Sequence, residues 1–303
     1  MVLAAVAFVI STFFTSANKR AHLDTLANAA EAITPEQSQK QTLPPTPELI
    51  ARSAVIFDAL TRSYVFEKTA DIPLGIASIS KVMTALIAYE RTNNDDVVTI
   101  SKEAVLTEGA SGLSPGEHLY LGDLLQMMLM ESSNDAASAI AEHIGRAYGA
   151  ETYEEAESTF VSLMNEKAQS LGMTHTHFQN ATGLDVQIDT ASNISTAHDI
   201  VKLVLYSLRY PGIWEATDQT SEKIVSQEGT IYEVKNINTL ASELPGFVGG
   251  KTGFTDTVGG SLLVIMEIPL GSPRIALVLG STHAGRFADM KKLIDWLRTS
   301  SSL

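Results

Sequence analysis

The chain has 303 residues, 45% hydrophobic and 18% charged, which supports a large buried core and excludes rods and wholesale disorder. Its 21 Lys and Arg against 35 Asp and Glu give a formal net charge of −14, and no basic patch interrupts it, so no nucleic-acid partner is expected. Cys is absent, which removes thiol nucleophiles, Cys-ligated zinc, iron–sulfur clusters and disulfides together, while leaving export open for a domain of this size.

The opening run MVLAAVAFVISTFF has only Ser11 and Thr12 as non-apolar residues. Carried to Ala17 as a helix it spans roughly 25 Å, short of the ~30 Å hydrocarbon layer. Residues 1–17 therefore read as a signal peptide or an N-terminal membrane anchor, with Thr15–Ser16–Ala17 as a small-residue cleavage site. Lys19 and Arg20 follow the run and no basic residue precedes it, against the positive-inside pattern of an exported chain; the expectation is that the natural start lies upstream. Residues 18–50 carry Pro35, Pro44, Pro45 and Pro47 with little apolar periodicity, the composition of a flexible linker.

A globular part fills 51–303. Ser53–Ala59 and Ser63–Lys68 read as a β-hairpin, Ser80–Arg91 as a helix, and Val97–Ile100 as a short strand. Leu121, Leu124, Leu125, Met128 and Leu129, then Ile140, Ile144 and Tyr148, recur at helical spacing. Glu154–Leu171 is an amphipathic helix closed by Gly172, its Glu151, Glu154, Glu155 and Glu157 forming a solvated acidic start. Thr196 and Asp199 have capping-box spacing at the head of a further helix. Strands follow at Lys223–Gln227, Thr230–Lys235, Phe247–Thr252, Ser261–Ile268 and Arg274–Leu279, then a helix carrying Phe287, Met290, Leu293, Ile294 and Leu297. This order predicts a mixed α/β (α+β) fold: one antiparallel sheet, joined by the opening hairpin and flanked by helices, with the helical middle as a second lobe.

Three short elements carry chemistry. Ser78–Ile79–Ser80–Lys81 opens the first helix, Ser132–Ser133–Asn134 lies between two helices, and Lys251–Thr252–Gly253 lies on a late strand. Singly they are weak: Ser16–Lys19 and Ser16–Ala17–Asn18 mimic the first two inside the linker. Their order and structural context are what count. With the flanks ASISKVMTALIA, ESSNDAASAIAEHIG, LGMTHTHFQNATGLD, STAHDIVKL and GGKTGFTDTVGGSLLV, the chain from Arg52 to Trp296 resembles the low-molecular-mass penicillin-binding proteins, the serine-type D-alanyl-D-alanine carboxypeptidase family. Ser133 stands where that family usually has Gly. The chain ends after its last helix, without the extra β-rich domain and C-terminal anchor of many members, so the expected membrane tether is the N-terminus.

The resemblance implies a β-lactamase/transpeptidase-like fold, peptidoglycan stem peptides ending in D-Ala-D-Ala as substrate, β-lactams as covalent inhibitors, no cofactor, and an extracytoplasmic site of action. It also implies a substrate-carboxylate role for Arg286 in THAGRF, where the bland reading is a surface arginine. The residue chemistry fits. Ser78 at a helix start has a dipole favouring an oxyanion, and Lys81 one turn on is a base if desolvation and a second cation, Lys251, keep it neutral. Ser132 can relay a proton to the leaving amine, Asn134 can hold Lys81 and the substrate amide, and Phe254 can supply a second oxyanion N–H. The strand can pair with substrate backbone, with Thr252 meeting the terminal carboxylate and Gly253 beside it. Simpler roles stand alongside these: helix capping for Ser78, Ser132 and Asn134, and a solvated lysine for Lys251. His175 and His177 form an H-x-H pair without ligand-spaced partners and read as a structural loop, so no metal is expected; His143 and His198 read as helix-surface or core-edge residues. An endopeptidase cutting D-Ala crosslinks is the alternative within the same chemistry. A class A β-lactamase is disfavoured because Leu171–Asp185 contains no Glu, and a non-catalytic β-lactam sensor because the whole apparatus is intact.

Overall fold

A computed structural model describes residues 45–107, 109, 112–187 and 189–301. The expected signal or anchor at 1–17 and most of the 18–50 linker lie outside these residues. The linker's last residues are fixed: the Ile50 and Ala51 amides donate to the Asp289 carboxylate at 3.0 and 2.8 Å.

The opening hairpin is β1 (Ser53–Asp58) and β2 (Ser63–Lys68), paired antiparallel. A two-residue strand β3 (Leu74–Gly75) and a 3-10 turn, Ala77–Ser80, lead into α1 (Lys81–Arg91). The middle continues with β4 (Val97–Thr99), β5 (His118–Tyr120), α2 (Leu121–Met130), α3 (Asn134–Ala147) and α4 (Tyr153–Ser170). Next come β6 (Ile194–Ser195), α5 (Ala197–Ser207), α6 (Pro211–Asp218), the hairpin β7 (Ser221–Val225) and β8 (Ile231–Lys235), and a single turn α7 (Leu240–Glu243). The chain closes with β9 (Phe247–Thr255), β10 (Gly259–Glu267), β11 (Pro273–Ser281) and α8 (Gly285–Ser301).

As expected, the opening hairpin joins the late strands, in a five-stranded sheet ordered β2-β1-β11-β10-β9. Its inner strands read as nearly continuous apolar runs because both faces are covered. Val55, Phe57, Leu263, Ile265, Ile275 and Leu277 enter one core with the helical lobe. Ala54, Ile56, Leu262, Val264, Ala276 and Val278 pack instead against Met290, Leu293, Ile294 and Leu297 of α8. At ~1.5–3 kcal/mol for each fully buried aliphatic side chain, this double burial is what holds β1, β10 and β11 in place, and the edge strand β9 pairs onto β10.

Several local expectations are corrected. The β7–β8 hairpin pairs with itself and does not join the main sheet. Each of its strands buries one apolar side chain, Ile224 or Val234, too little to form a core layer. Helix α6 has no counterpart among the expected elements; it opens on Pro211, a residue favourable at a first helical position. The cap of α3 is Ser133, whose hydroxyl accepts from the Ala136 amide at 3.0 Å, rather than Ser132 or Asn134. Thr196 caps α5, but the Asp199 carboxylate turns away to accept from the His175 amide and the Thr176 hydroxyl. Glu157 is not solvated: burial and Glu142 raise its carboxyl to about 7. Among the described residues no helix is long and apolar enough to cross a membrane.

Candidate active site

The three motifs converge. Ser78 sits half-buried in the 3-10 turn, and the Lys81 ammonium, fully buried at the head of α1, donates to its hydroxyl at 3.0 Å. Lys81 also donates to Asn134 Oδ1 at 2.6 Å and to the Thr182 carbonyl at 2.6 Å. Ser132 lies in the tight α2–α3 turn with φ at 66°, and Lys251 of β9 donates to its hydroxyl at 2.8 Å. Ala77, just before Ser78, also has a left-handed φ of 46°. Such backbone costs roughly 1–3 kcal/mol per residue and persists where the surroundings hold it.

Two lysines this close to one site, both at 1% exposure or less, cannot both be ordinary ammonium groups. Burial, followed by repulsion from Lys251, pushes Lys81 well below its usual value. Burial, followed by the Arg286 charge, brings Lys251 down to about 7. Arg286, near the start of α8, is 5% exposed and donates from Nη1 to the Gly253 carbonyl at 2.7 Å. It therefore lies against the Lys251–Thr252–Gly253 strand and supplies charge there.

Among the described residues no further strand pairs with this strand's outer edge. The Gly250 amide leaves the sheet to donate to the Thr217 hydroxyl of α6 at 3.0 Å, and Lys251 Nζ touches the Thr252 carbonyl at 3.0 Å. Backbone groups alternate sides along a strand, so those of Gly250, Thr252 and Phe254 share the edge away from β10. A Cβ at Gly253 would stand 3.0 Å from the Ile76 carbonyl oxygen, so the glycine lets β9 press against the turn that carries Ser78. The Phe254 side chain is 39% exposed and meets His283 edge-on at 4.7 Å.

Sequence reasoning missed the groups that hold this arrangement from outside the motifs: the Thr182 carbonyl, Thr217, and the Asn180 and Asn193 amides behind the 179–184 turn. The run NATG, with Asn three residues before Gly183, was the available signal, since Asn side chains accept from turn amides. His177 pairs through its backbone with Ile194, and the His198 ring lies 2.6 Å from both Glu67 and Asp71. Among the described residues no group of three His, Asp or Glu side chains is placed to hold a metal ion. An acidic cavity of about 500 Å³ lined by Asp95, Asp123, Glu215 and Glu222 shares no residue with the motif cluster.

A family model described as D-alanyl-D-alanine carboxypeptidase matches residues 38–282. The chain is 32% identical to a D-alanyl-D-alanine endopeptidase of Escherichia coli, over 84% of its own length and 79% of the relative's. It is 30% identical to the D-alanyl-D-alanine carboxypeptidase DacF of Bacillus subtilis, over 81% of this chain and 61% of that one. Among solved structures, a mutant of the Streptomyces K15 DD-transpeptidase superposes with a TM-score of 0.75 at 26% identity, covering 84% of this chain and all of that one. Penicillin-binding protein D2 of Listeria monocytogenes, in its cefotaxime-bound form, gives 0.70 at 28% identity, covering 84% and 99%.

Proposed function

Because the chain belongs to the D-alanyl-D-alanine carboxypeptidase family and is a serine-type DD-peptidase of the penicillin-binding fold, we propose that Ser78 is its nucleophile and Lys81 the base that activates it. The observation that carries this reading is the 3.0 Å contact between a buried Lys81 amine of lowered proton affinity and the Ser78 hydroxyl.

A peptide's terminal D-Ala-D-Ala lies antiparallel to the free edge of β9, its carboxylate near Thr252 and the charges of Lys251 and Arg286. Ser78 Oγ attacks the penultimate carbonyl and its proton passes to Lys81 Nζ. The oxyanion is met by the amides of Ser78 and Phe254. The C–N bond breaks as Ser132 hands its proton to the departing D-Ala amine and takes one in turn from Lys251, whose ammonium donates to it at 2.8 Å; the proton that Lys81 took from Ser78 makes good the loss, so the site's charge is unchanged. Asn134 keeps Lys81 in place and binds the substrate amide. Water then attacks the ester carbonyl, the stem peptide leaves as its carboxylate, and Ser78 regains its proton. Each tenfold in rate corresponds to ~1.4 kcal/mol of barrier, and a positioned base supplies about two to four such factors.

Action on peptidoglycan puts the working site outside the cytoplasm; tethering or export through residues 1–17 is part of the same proposal. An endopeptidase that cuts D-Ala crosslinks is the second reading, favoured by the relatives in Escherichia coli and Pseudomonas aeruginosa that carry that name. Incubating the protein with stem pentapeptide and with crosslinked muropeptides decides between them. Released D-alanine from pentapeptide supports the carboxypeptidase; cleavage confined to crosslinked dimers supports the endopeptidase. No product from either, with intact protein, contradicts both.

A further inference from the structure

Low proton affinity alone does not make Lys81 a base, because a neutral amine must also aim its lone pair at the hydroxyl it deprotonates. We propose that the main-chain carbonyl of Thr182 fixes that direction, and that Asn180 and Asn193 are positioning residues for it. The inference deepens the assignment of Lys81 as base to Ser78 and rests on it.

Lys81 Nζ has three acceptors among the described residues: Asn134 Oδ1 and the Thr182 carbonyl at 2.6 Å each, and Ser78 Oγ at 3.0 Å. As an ammonium it satisfies all three with its three N–H groups. After losing a proton it keeps two N–H groups and one lone pair in the remaining tetrahedral direction. The two carbonyl-type oxygens accept only, so each retains an N–H. Ser78, whose hydroxyl also lies 3.5 Å from the Thr182 carbonyl as a long, weak donor, is the partner that carries a proton to give, and the lone pair falls to it. With the Thr182 acceptor displaced, the amine is free to turn an N–H toward Ser78, and the productive orientation becomes one among several.

The carbonyl is held from several sides. Asn180 Oδ1 accepts from the Gly183 amide at 2.7 Å and the Thr182 hydroxyl at 3.1 Å, while its Nδ2 donates to the Leu184 carbonyl at 2.8 Å. Asn193, 2% exposed, accepts from the Gln179 amide at 2.7 Å. Its Nδ2 donates at 2.9 Å to the Asn180 carbonyl and to the hydroxyl of Ser80, the residue before the base. The Thr84 hydroxyl of α1 donates to the Ala181 carbonyl at 2.7 Å. Gly183 completes the seat: its φ is 83°, and a Cβ there would lie 2.1 Å from the Ala77 oxygen. The turn is thus built against the same two elements, the Ser78 turn and α1, that carry nucleophile and base.

A purely structural role and an orienting role differ in their signature. The carbonyl also accepts from the ammonium form and favours it, so loosening it lowers the proton affinity of Lys81 further while spoiling its aim. The charged groups acting on Lys81 are Lys251 from β9 and, through Lys251, Arg286 from α8, and neither is touched by substitution at Asn180.

The test is the pH profile of acylation by labelled benzylpenicillin in the wild type, Asn180→Ala and Asn180→Ser, with the labelled peptide mapped. Asn180→Ala is expected to lower the plateau rate on the order of tenfold to a hundredfold, the cost of a slightly misplaced base, and to move the acidic limb to lower pH. Asn180→Ser, whose hydroxyl can accept the Gly183 amide in the same turn, is expected to restore most of both. An unchanged plateau in Asn180→Ala overturns the proposal, as does a slower plateau with an unmoved limb. If Asn180→Ala does not fold, a Ser variant that folds yet shows the slow plateau without the shifted limb overturns it equally. Absence of label on Ser78 in the wild type overturns the nucleophile assignment itself, a result distinct from either.

Discussion

Lys251 Nζ donates to Ser132 Oγ at 2.8 Å, joining the edge strand of the sheet to an interhelix turn 119 residues earlier in the chain. The contact closes one side of the site just as Lys81 to Ser78 closes the other. In the mechanism proposed above, one lysine–serine pair starts the reaction and the other sees the leaving group out. The helical lobe supplies both serines, Lys81 and Asn134, and the sheet supplies Lys251, so the chemistry lies at their junction.

Charge without deprotonation is no substitute at position 81. Arg keeps the cation but does not give up its proton under these conditions. Lys81→Arg is therefore expected to reduce penicillin acylation about as far as Lys81→Ala, by ~10²–10⁴. Stopped-flow acylation rates check this, and near-normal rates in the Arg variant would show that Lys81 acts only as a fixed cation.

Under the proposed mechanism, the alkaline side of the pH profile is expected to belong to Lys251. It holds a carboxylate only while protonated, and burial together with Arg286 lowers it to about 7 in the free protein. The value of kcat/KM should fall as pH rises through that region. In Arg286→Gln the depressing charge is gone and only burial remains, so the alkaline limb is expected to move to higher pH while KM at pH 6 rises. An alkaline limb that stays put would sever the link between Arg286 and Lys251.

Glu157 makes a stability prediction independent of catalysis. Glu142 Oε2 and Glu157 Oε1 are both buried without a hydrogen-bond partner among the described residues, and burial first, then Glu142, raises Glu157 from 4.5 to about 7. The folded state therefore holds this proton more tightly than the unfolded chain. The group's stabilising contribution is full below pH 4.5 and is lost as pH rises to about 7, a change of roughly 3 kcal/mol at ~1.4 kcal/mol per unit. Glu157→Gln mimics the protonated form and should remove that loss. Urea unfolding at pH 5 and pH 8 measures it; equal pH dependence in both proteins would contradict the shared burial.

How far the site was legible in the sequence depended on which atoms act. Ser78 and Lys81 are local, one helical turn apart, and Ser132, Asn134 and Lys251 announce themselves by residue type and order. Thr182 does not, because a main-chain carbonyl leaves no trace in residue identity and reaches Lys81 across 101 positions. Thr217 is hidden likewise, as one threonine on a helix that opens with Pro-Gly. In the fold, β10 and β11 were plain from their apolar runs. The separate β7–β8 hairpin was not, because its runs SEKIV and IYEVK mix apolar and polar residues just as an edge strand of the main sheet would.

Slow deacylation is a further expectation. No Glu lies in Leu171–Asp185 to activate water, and a ring-opened penicillin stays attached where D-alanine departs. Bound label should decay over minutes or longer; rapid multiple turnover without adduct would favour a β-lactamase.

The most direct test of Ser78 as nucleophile is intact-protein and peptide mass spectrometry after benzylpenicillin, on the wild type and on Ser78→Ala. The account predicts one penicillin mass added per wild-type chain, mapped to the peptide holding Ser78, and none on Ser78→Ala. A covalent adduct on folded Ser78→Ala, or an adduct mapped to Ser132 in the wild type, would contradict it.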